Sequence, residues 1–233
     1  MTLALYMQKD KRWDIKTRGT VTSTKVALTD LSIKVRSEQF SMFVSKLKPT
    51  SKSMVLDVGA TSDEILKDSN MFEKLYQFPE KLIVATIEDE KKLKKIYPLV
   101  KKVVKIQPHT KLPFKDKTFD IVVPWATLEH TGNYINQNLF LNELLRVGKK
   151  VFVTTPYRGA LYEPHSGLPL LHWLPLPIFR LICKIVGKSF WSDESHLNPL
   201  WVNDIEKMRL HRKVKIQIFK TFNFLPSHII ITG

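Results

Sequence analysis

Two stretches of the chain place carboxylates where an apolar run stops. Residues 53–64, SMVLDVGATSDE, carry Met54, Val55 and Leu56 into Asp57, turn at Gly59 and continue through Ala60-Thr61-Ser62. Residues 82–87, LIVATI, run directly into Glu88-Asp89. An Asp-x-Gly at a strand end lets the backbone turn sharply and presents amide groups at the start of the next helix. A carboxylate at the end of the following strand grips both hydroxyls of a ribose through paired hydrogen bonds. With a single glycine the first loop has two readings, a reduced nucleotide loop or a buried strand with a plain turn. The second acidic position, independent of the first, favours the nucleotide loop. A third candidate is His130, which follows the apolar run 119–123 directly after Glu129. Histidine takes a proton near neutral pH more readily than any other side chain, so His130 reads as a base or substrate contact. Its plainer reading is a histidine held by backbone at a helix start.

These positions need a scaffold, and the sequence supplies one. Residues 30–47 put Leu31, Val35, Phe40, Phe43, Val44 and Leu47 near helical spacing, and Pro49 closes the segment. Short runs rich in Val and Ile follow at 53–58, 82–87, 102–106, 119–123 and 150–155. They are apolar on both faces, as strands of a covered parallel sheet are. Between the last two lies a helix-length stretch, 133–147, where Ile135, Leu139, Leu141, Leu144 and Leu145 recur with helical spacing before Gly148. The chain ends with a helix near 201–210 and strands at 213–220 and 228–232. The expectation is an α/β fold, one doubly wound, mostly parallel seven-stranded sheet. All of 1–233 forms one domain, with 1–50 as a helical cap. Residues 156–200 break the rhythm with Pro156, Pro164, Pro169, Pro175, Pro177 and Pro199, and read as an insertion after the fifth strand.

Composition narrows the partners. Thirty-seven Lys and Arg against 22 Asp and Glu give a formal charge of +15, a surface attractive to nucleic acid, an anionic membrane face or phosphorylated ligands. The lysines fall in scattered pairs such as Lys91-Lys92 and Lys149-Lys150, the pattern of a solvated surface rather than a nucleic-acid groove. Cys183 is the only cysteine, which excludes an internal disulfide and a cysteine zinc cluster and fits a reducing cytoplasm. The apolar start, Met1 to Met7, lacks a basic leader and runs into Lys9 to Arg12, so no export signal is expected. Residues 168–187, LPLLHWLPLPIFRLICKIVG, are broken by three prolines and carry His172, Arg180 and Lys184, against a membrane span. Their apolar helix, 177–187, suits a lid over substrate, and beside a basic surface it would also suit peripheral contact with the inner membrane face.

The segment LPFKDKTFDIVVPWATLEH, 112–130, resembles the third and fourth strand region of class I S-adenosylmethionine-dependent methyltransferases. LDVGATSD, SNMFEKLY, IED, ELLRVGKKVFVTTP and EPHSGLPLLHWLP extend the resemblance to one bacterial group of that superfamily. In that group the first loop reads Asp-Val-Gly, then Ala or Val, then Thr, so the missing glycines are normal. The resemblance implies S-adenosylmethionine as cofactor. Asp57, Gly59 and Ala60 would shape the loop under its methionine end, Glu88 with Asp89 would hold the ribose, and the backbone at His109-Thr110 would face the adenine. Trp125 would cover the sulfonium as an aromatic face or simply wall the pocket. One departure is Pro108, where many relatives carry an adenine-binding Asp.

The group also places Glu and His at Glu163 and His165, which join His130 as the catalytic candidates, whereas His172 is expected to pack. No metal is expected. Small-RNA 2'-O-methyltransferases join a Glu-x-x-Glu-His motif to later histidines, and although Glu129, His130 and His165 offer ligands, Ala126 stands at the first Glu of that motif. The acceptor implied is a hydroxyl of a saccharide or other small molecule, in surface-polysaccharide biosynthesis and with a lipid-linked glycan among the candidates. The rival readings are an RNA methyltransferase exploiting the basic charge and a sheet protein that binds without catalysis.

Overall fold

The computed structural model describes residues 23–64 and 66–233. The Met1 to Met7 start, the Lys9 to Arg12 run and the first half of the expected cap lie outside them. The elements are α1 (Ser23–Leu47), β1 (Val55–Val58), α2 (Met71–Leu75), β2 (Leu82–Thr86), α3 (Glu90–Ile96), β3 (Lys102–Lys105), β4 (Phe119–Val123), α4 (Tyr134–Val147), β5 (Gly148–Pro156), α5 (Leu176–Ile185), α6 (Val202–Glu206), β6 (Lys215–Thr221) and β7 (Leu225–Thr232). The strands form one seven-stranded sheet in the order β3-β2-β1-β4-β5-β7-β6. β1 to β5 are parallel, and β7 runs antiparallel to both β5 and β6. This is the doubly wound, mostly parallel sheet the sequence implies.

Because β1 lies between β2 and β4, the chain leaves β1 on one side and later returns to its other side. The crevice beyond the carboxyl ends of β1 and β4 is therefore the switch point where open sheets of this kind bind ligands. Alternation along β1 fills both faces: Val55 joins a cluster with Phe43, Phe72 and Phe152, while Leu56 and Val58 join Leu141, Leu144 and Leu145 of α4. α1 and α2 cover the first face and α4 the second. The expected helix faces are narrower than their spacing suggested. Val35, Phe40, Phe43 and Leu47 are buried, whereas Leu31, Val44, Ile135 and Leu139 face solvent.

The insertion has a small core of its own, Phe179, Cys183, Trp191 and Leu197. Burial pushes the Cys183 thiol up to about 11, which makes it a packing group rather than a nucleophile. The helix expected near 201–210 stops at Glu206. Beyond it, the Asn142 side chain donates to Arg209 O and accepts from His211 N–H, so contacts across the fold replace the helical ladder. No helix among the described residues is long and apolar enough to cross a membrane.

Candidate active site

The loop after β1 is held from three directions. Gly59 N–H donates to Ala85 O of β2 at 2.9 Å, and the Thr86 hydroxyl donates to Ala60 O at 2.8 Å. Thr61 exchanges two hydrogen bonds with the Asn70 side chain. Gly59 has φ +113, and a Cβ there would lie 2.3 Å from Thr127 Oγ1, which itself donates to Val58 O. The glycine is thus required both by the backbone and by the close approach of the segment after β4. The acidic residue after β2 joins this loop: Glu88 Oε2 accepts from Ser62 N–H at 2.7 Å, and Glu88 N–H donates to Thr86 Oγ1. Sequence reasoning gave Glu88 a ligand role only. The fold adds a structural task, since one carboxylate oxygen fixes the loop. Asp89 caps α3, its Oδ1 accepting from Lys91 and Lys92 N–H, which holds its carboxyl below the usual range.

Asp57 is buried below the loop beside Glu73, not exposed at its mouth. Burial, reinforced by the neighbouring Glu73 carboxylate, raises its carboxyl well above the ordinary value. Its place is to shape the strand end. Trp125 is half-buried among Phe72, Phe152 and Phe40, with ring centroids at 5.6, 6.1 and 6.5 Å. That packing fits a pocket wall. His109 and Thr110 lie exposed after β3, His109 in a left-handed turn beside Gly132 and Thr110 hydrogen bonded to Gln107 O. The adjoining Leu-Pro-Phe segment is pinned by α4: Glu143 accepts from Leu112 N–H, and Arg146 donates to Leu112 O and Phe114 O.

The catalytic candidates converge although they come from distant parts of the chain. His130 Nε2 and His165 Nε2 are 3.1 Å apart, and Glu129 Oε1 lies 3.7 and 3.9 Å from them. Glu163 does not face this centre as an independent base. Its Oε1 accepts from His165 Nδ1 at 2.7 Å and from His165 N–H, and its Oε2 accepts from Ser166 N–H. Burial alone would raise its carboxyl, but the His165 ring and these donors outweigh that and hold it at about 2. Both Glu163 oxygens are thus engaged by neighbouring donors, and the carboxylate fixes the orientation of the His165 ring. His130 Nδ1 is set by His196 O at 2.5 Å, and Glu129 Oε2 accepts from the Thr155 hydroxyl at 2.9 Å. Glu129 is fully buried, and burial raises its carboxyl above the usual value. His172 packs as expected, buried with Nε2 on Ala160 O at 3.0 Å.

His196 was not among the sequence candidates because it acts through its carbonyl, and a backbone contact leaves no residue-type signal. Asn198 was likewise missed. It donates from its amide N–H to Glu129 O and from its side chain to Gly132 O, and Gln137 donates to its carbonyl. These bonds seat the end of the insertion on the Glu129 turn. Arg158 braces the other end, donating to His172 O and Leu174 O. Outside the site, Leu174, Ile178, Leu181, Ile185 and Val186 remain exposed on and around α5.

No family model and no curated protein matches the chain. Solved structures do. The PH0226 protein from Pyrococcus horikoshii aligns over 100% of this chain and 98% of its own, with 16% identity and a TM-score of 0.54. An S-adenosylmethionine-dependent methyltransferase from Thermotoga maritima aligns over 95% and 98%, at 15% identity and TM-score 0.53. The YcgJ protein from Bacillus subtilis covers 84% and 97%, at 12% identity and TM-score 0.52. At these identities the likeness establishes a shared fold over nearly the whole of each chain.

Proposed function

We propose that the protein is an S-adenosylmethionine-dependent methyltransferase acting on a hydroxyl of a small molecule, with saccharides as the favoured class. The observation that carries the reading is the hydrogen bond from Ser62 N–H to Glu88, which joins the loop after β1 to the carboxylate after β2 at the switch point of the sheet. A nucleoside there would meet the backbone of 59–62 at one end and the free oxygen of Glu88 at its ribose. The fold shared with the Thermotoga maritima methyltransferase supports the same cofactor.

The acceptor half is the cluster after β4 under the insertion. Methyl transfer is an in-line displacement: the acceptor oxygen bonds to the methyl carbon, the carbon–sulfur pair returns to sulfur, and the hydroxyl proton must leave. Glu129, His130 and His165 form the centre that assists loss of that proton, while the insertion keeps water out. The apolar rim of α5, with Lys184 and Lys188 nearby, suits an acceptor carried on a lipid. The test is incubation with a deuterium-labelled methyl donor and a panel of sugar nucleotides, lipid-linked saccharides and RNA, with products read by mass spectrometry. A labelled methyl on a saccharide oxygen is the expected result. Label confined to RNA overturns the acceptor assignment.

A further inference from the structure

The hydrogen bonds behind the Glu129, His130 and His165 cluster determine what its front can do. His165 Nδ1 faces a carboxylate, Glu163, and His130 Nδ1 faces a carbonyl, His196 O. Both partners only accept, so both Nδ1 atoms carry the hydrogen. A neutral imidazole has one N–H, and each Nε2 therefore presents a lone pair. The two lone pairs face each other at 3.1 Å, and the third neighbour is Glu129 Oε1, whose partner oxygen is occupied by Thr155. Oε1 is buried and has no hydrogen-bond donor among the described residues. Three electron-rich atoms converging in this way form a site suited to a cation at their centre.

We propose that Glu129 Oε1, His130 Nε2 and His165 Nε2 bind a divalent transition-metal ion. Ligands about 2.0–2.2 Å from a common metal stand about 3.0–3.5 Å apart, so the 3.1 Å edge already fits and the 3.7 and 3.9 Å edges close with a small rotation of Glu129. Two imidazoles and one carboxylate suit Mn, Fe, Co or Zn, whereas Ca and Mg favour oxygen ligands. The outer partners are those of built metal sites: a carboxylate and a carbonyl each orient one ring, and a hydroxyl orients the carboxylate. A proton shared between the two rings is the rival, but it joins only two of the three atoms and leaves Glu129 Oε1 without a partner. Three protein ligands leave coordination positions open under the insertion. An acceptor hydroxyl bound at one of them would release its proton to solvent more readily. That role rests on the methyl-transfer reading, while the metal site does not.

Tag-free protein stripped with a chelator is titrated with Co(II), read by visible absorption and by bound metal per chain. The expected result is one equivalent bound with d–d bands, displaced by Zn(II), lost in His165→Ala and kept in His211→Ala, an exposed histidine elsewhere. Glu163→Gln keeps all three ligands and is expected to weaken Co(II) by about 10–100-fold, which preserves a readout if His165→Ala unfolds. No stoichiometric Co(II) in folded wild type, or binding that survives in a folded His165→Ala, overturns the site. S-adenosylhomocysteine calorimetry on the same samples separates the claims. S-adenosylhomocysteine bound without cobalt removes the metal and leaves the transfer reading, and cobalt bound without S-adenosylhomocysteine does the reverse.

Discussion

The two halves of the proposed site, for cofactor and for acceptor, are built in different ways. The cofactor half is local: the segments after β1 and β2, adjacent strands, bond to each other through backbone atoms, Thr86 and Glu88. The acceptor half is assembled from Glu129 and His130 after β4, Thr155 on β5, Glu163 and His165 in the insertion, and the His196 carbonyl near its end. Strand ends can hold a constant ligand with little sequence, because the sheet fixes their spacing. The proposed acceptor half relies instead on side chains oriented by outer partners, Thr155 from β5 and the Glu163 carboxylate and His196 carbonyl from the insertion. The first half should fail when its backbone or the Glu88 carboxylate that braces it is disturbed, and the second when the side chains of its cluster are removed.

The largest expected effect separates the halves directly. His165→Ala should lower turnover by about 100- to 10,000-fold, the range for losing a group that assists removal of the acceptor proton, while S-adenosylhomocysteine affinity stays within about twofold. Steady-state rates and calorimetry on one preparation check both numbers. Gly59→Ala is the mirror case. Its Cβ would meet Thr127 Oγ1 at 2.3 Å from a backbone at φ +113, so about 1–3 kcal/mol of strain should appear as a lower melting temperature and about 10–100-fold weaker cofactor binding. Adding Thr127→Ala should recover part of the loss by removing the clash but not the strain, a coupling readable in a double-mutant cycle. Glu88→Gln comes next. The amide oxygen still accepts from Ser62 N–H, so the expected loss is about tenfold, smaller than for Glu88→Ala, which also frees the loop.

The smallest effects are opposite slopes of stability with pH. The fold raises the Asp57 carboxyl, so the folded chain holds a proton that the unfolded chain has released. Stability from this group falls as pH rises above the ordinary carboxylate value of about 4, and Asp57→Asn should flatten that arm. In the insertion burial lowers the His172 ring, so the folded chain refuses a proton that the unfolded chain accepts. Stability there falls as pH drops below about 6.5, and His172→Gln should flatten the acid arm. Melting temperatures across the pH range for both variants test the signs.

The centre of the sheet was legible because its strands are buried on both faces, whereas β3 and β6 at the edges are partly exposed. β1, β2 and β4 are almost wholly buried, and a two-sided apolar run is what such a strand must look like in sequence. β7 extends back to Leu225 through Pro226, beyond the 228–232 run, because Pro226 pairs near the bulge with β6. The Glu163 and His165 pair was visible as a motif, but not that both Glu163 oxygens are taken by donors of His165 and Ser166. That depends on which oxygen meets which donor. His196 and Asn198 contribute carbonyls and amides to the site, and every residue carries those, so no spacing announces them.

The most direct test of the division is calorimetric titration of S-adenosylhomocysteine into wild type, Glu88→Ala and His165→Ala, each shown to be folded. The account predicts micromolar binding by wild type, lost in Glu88→Ala and retained in His165→Ala. Absence of binding by wild type, or equal losses in the two variants, would contradict it.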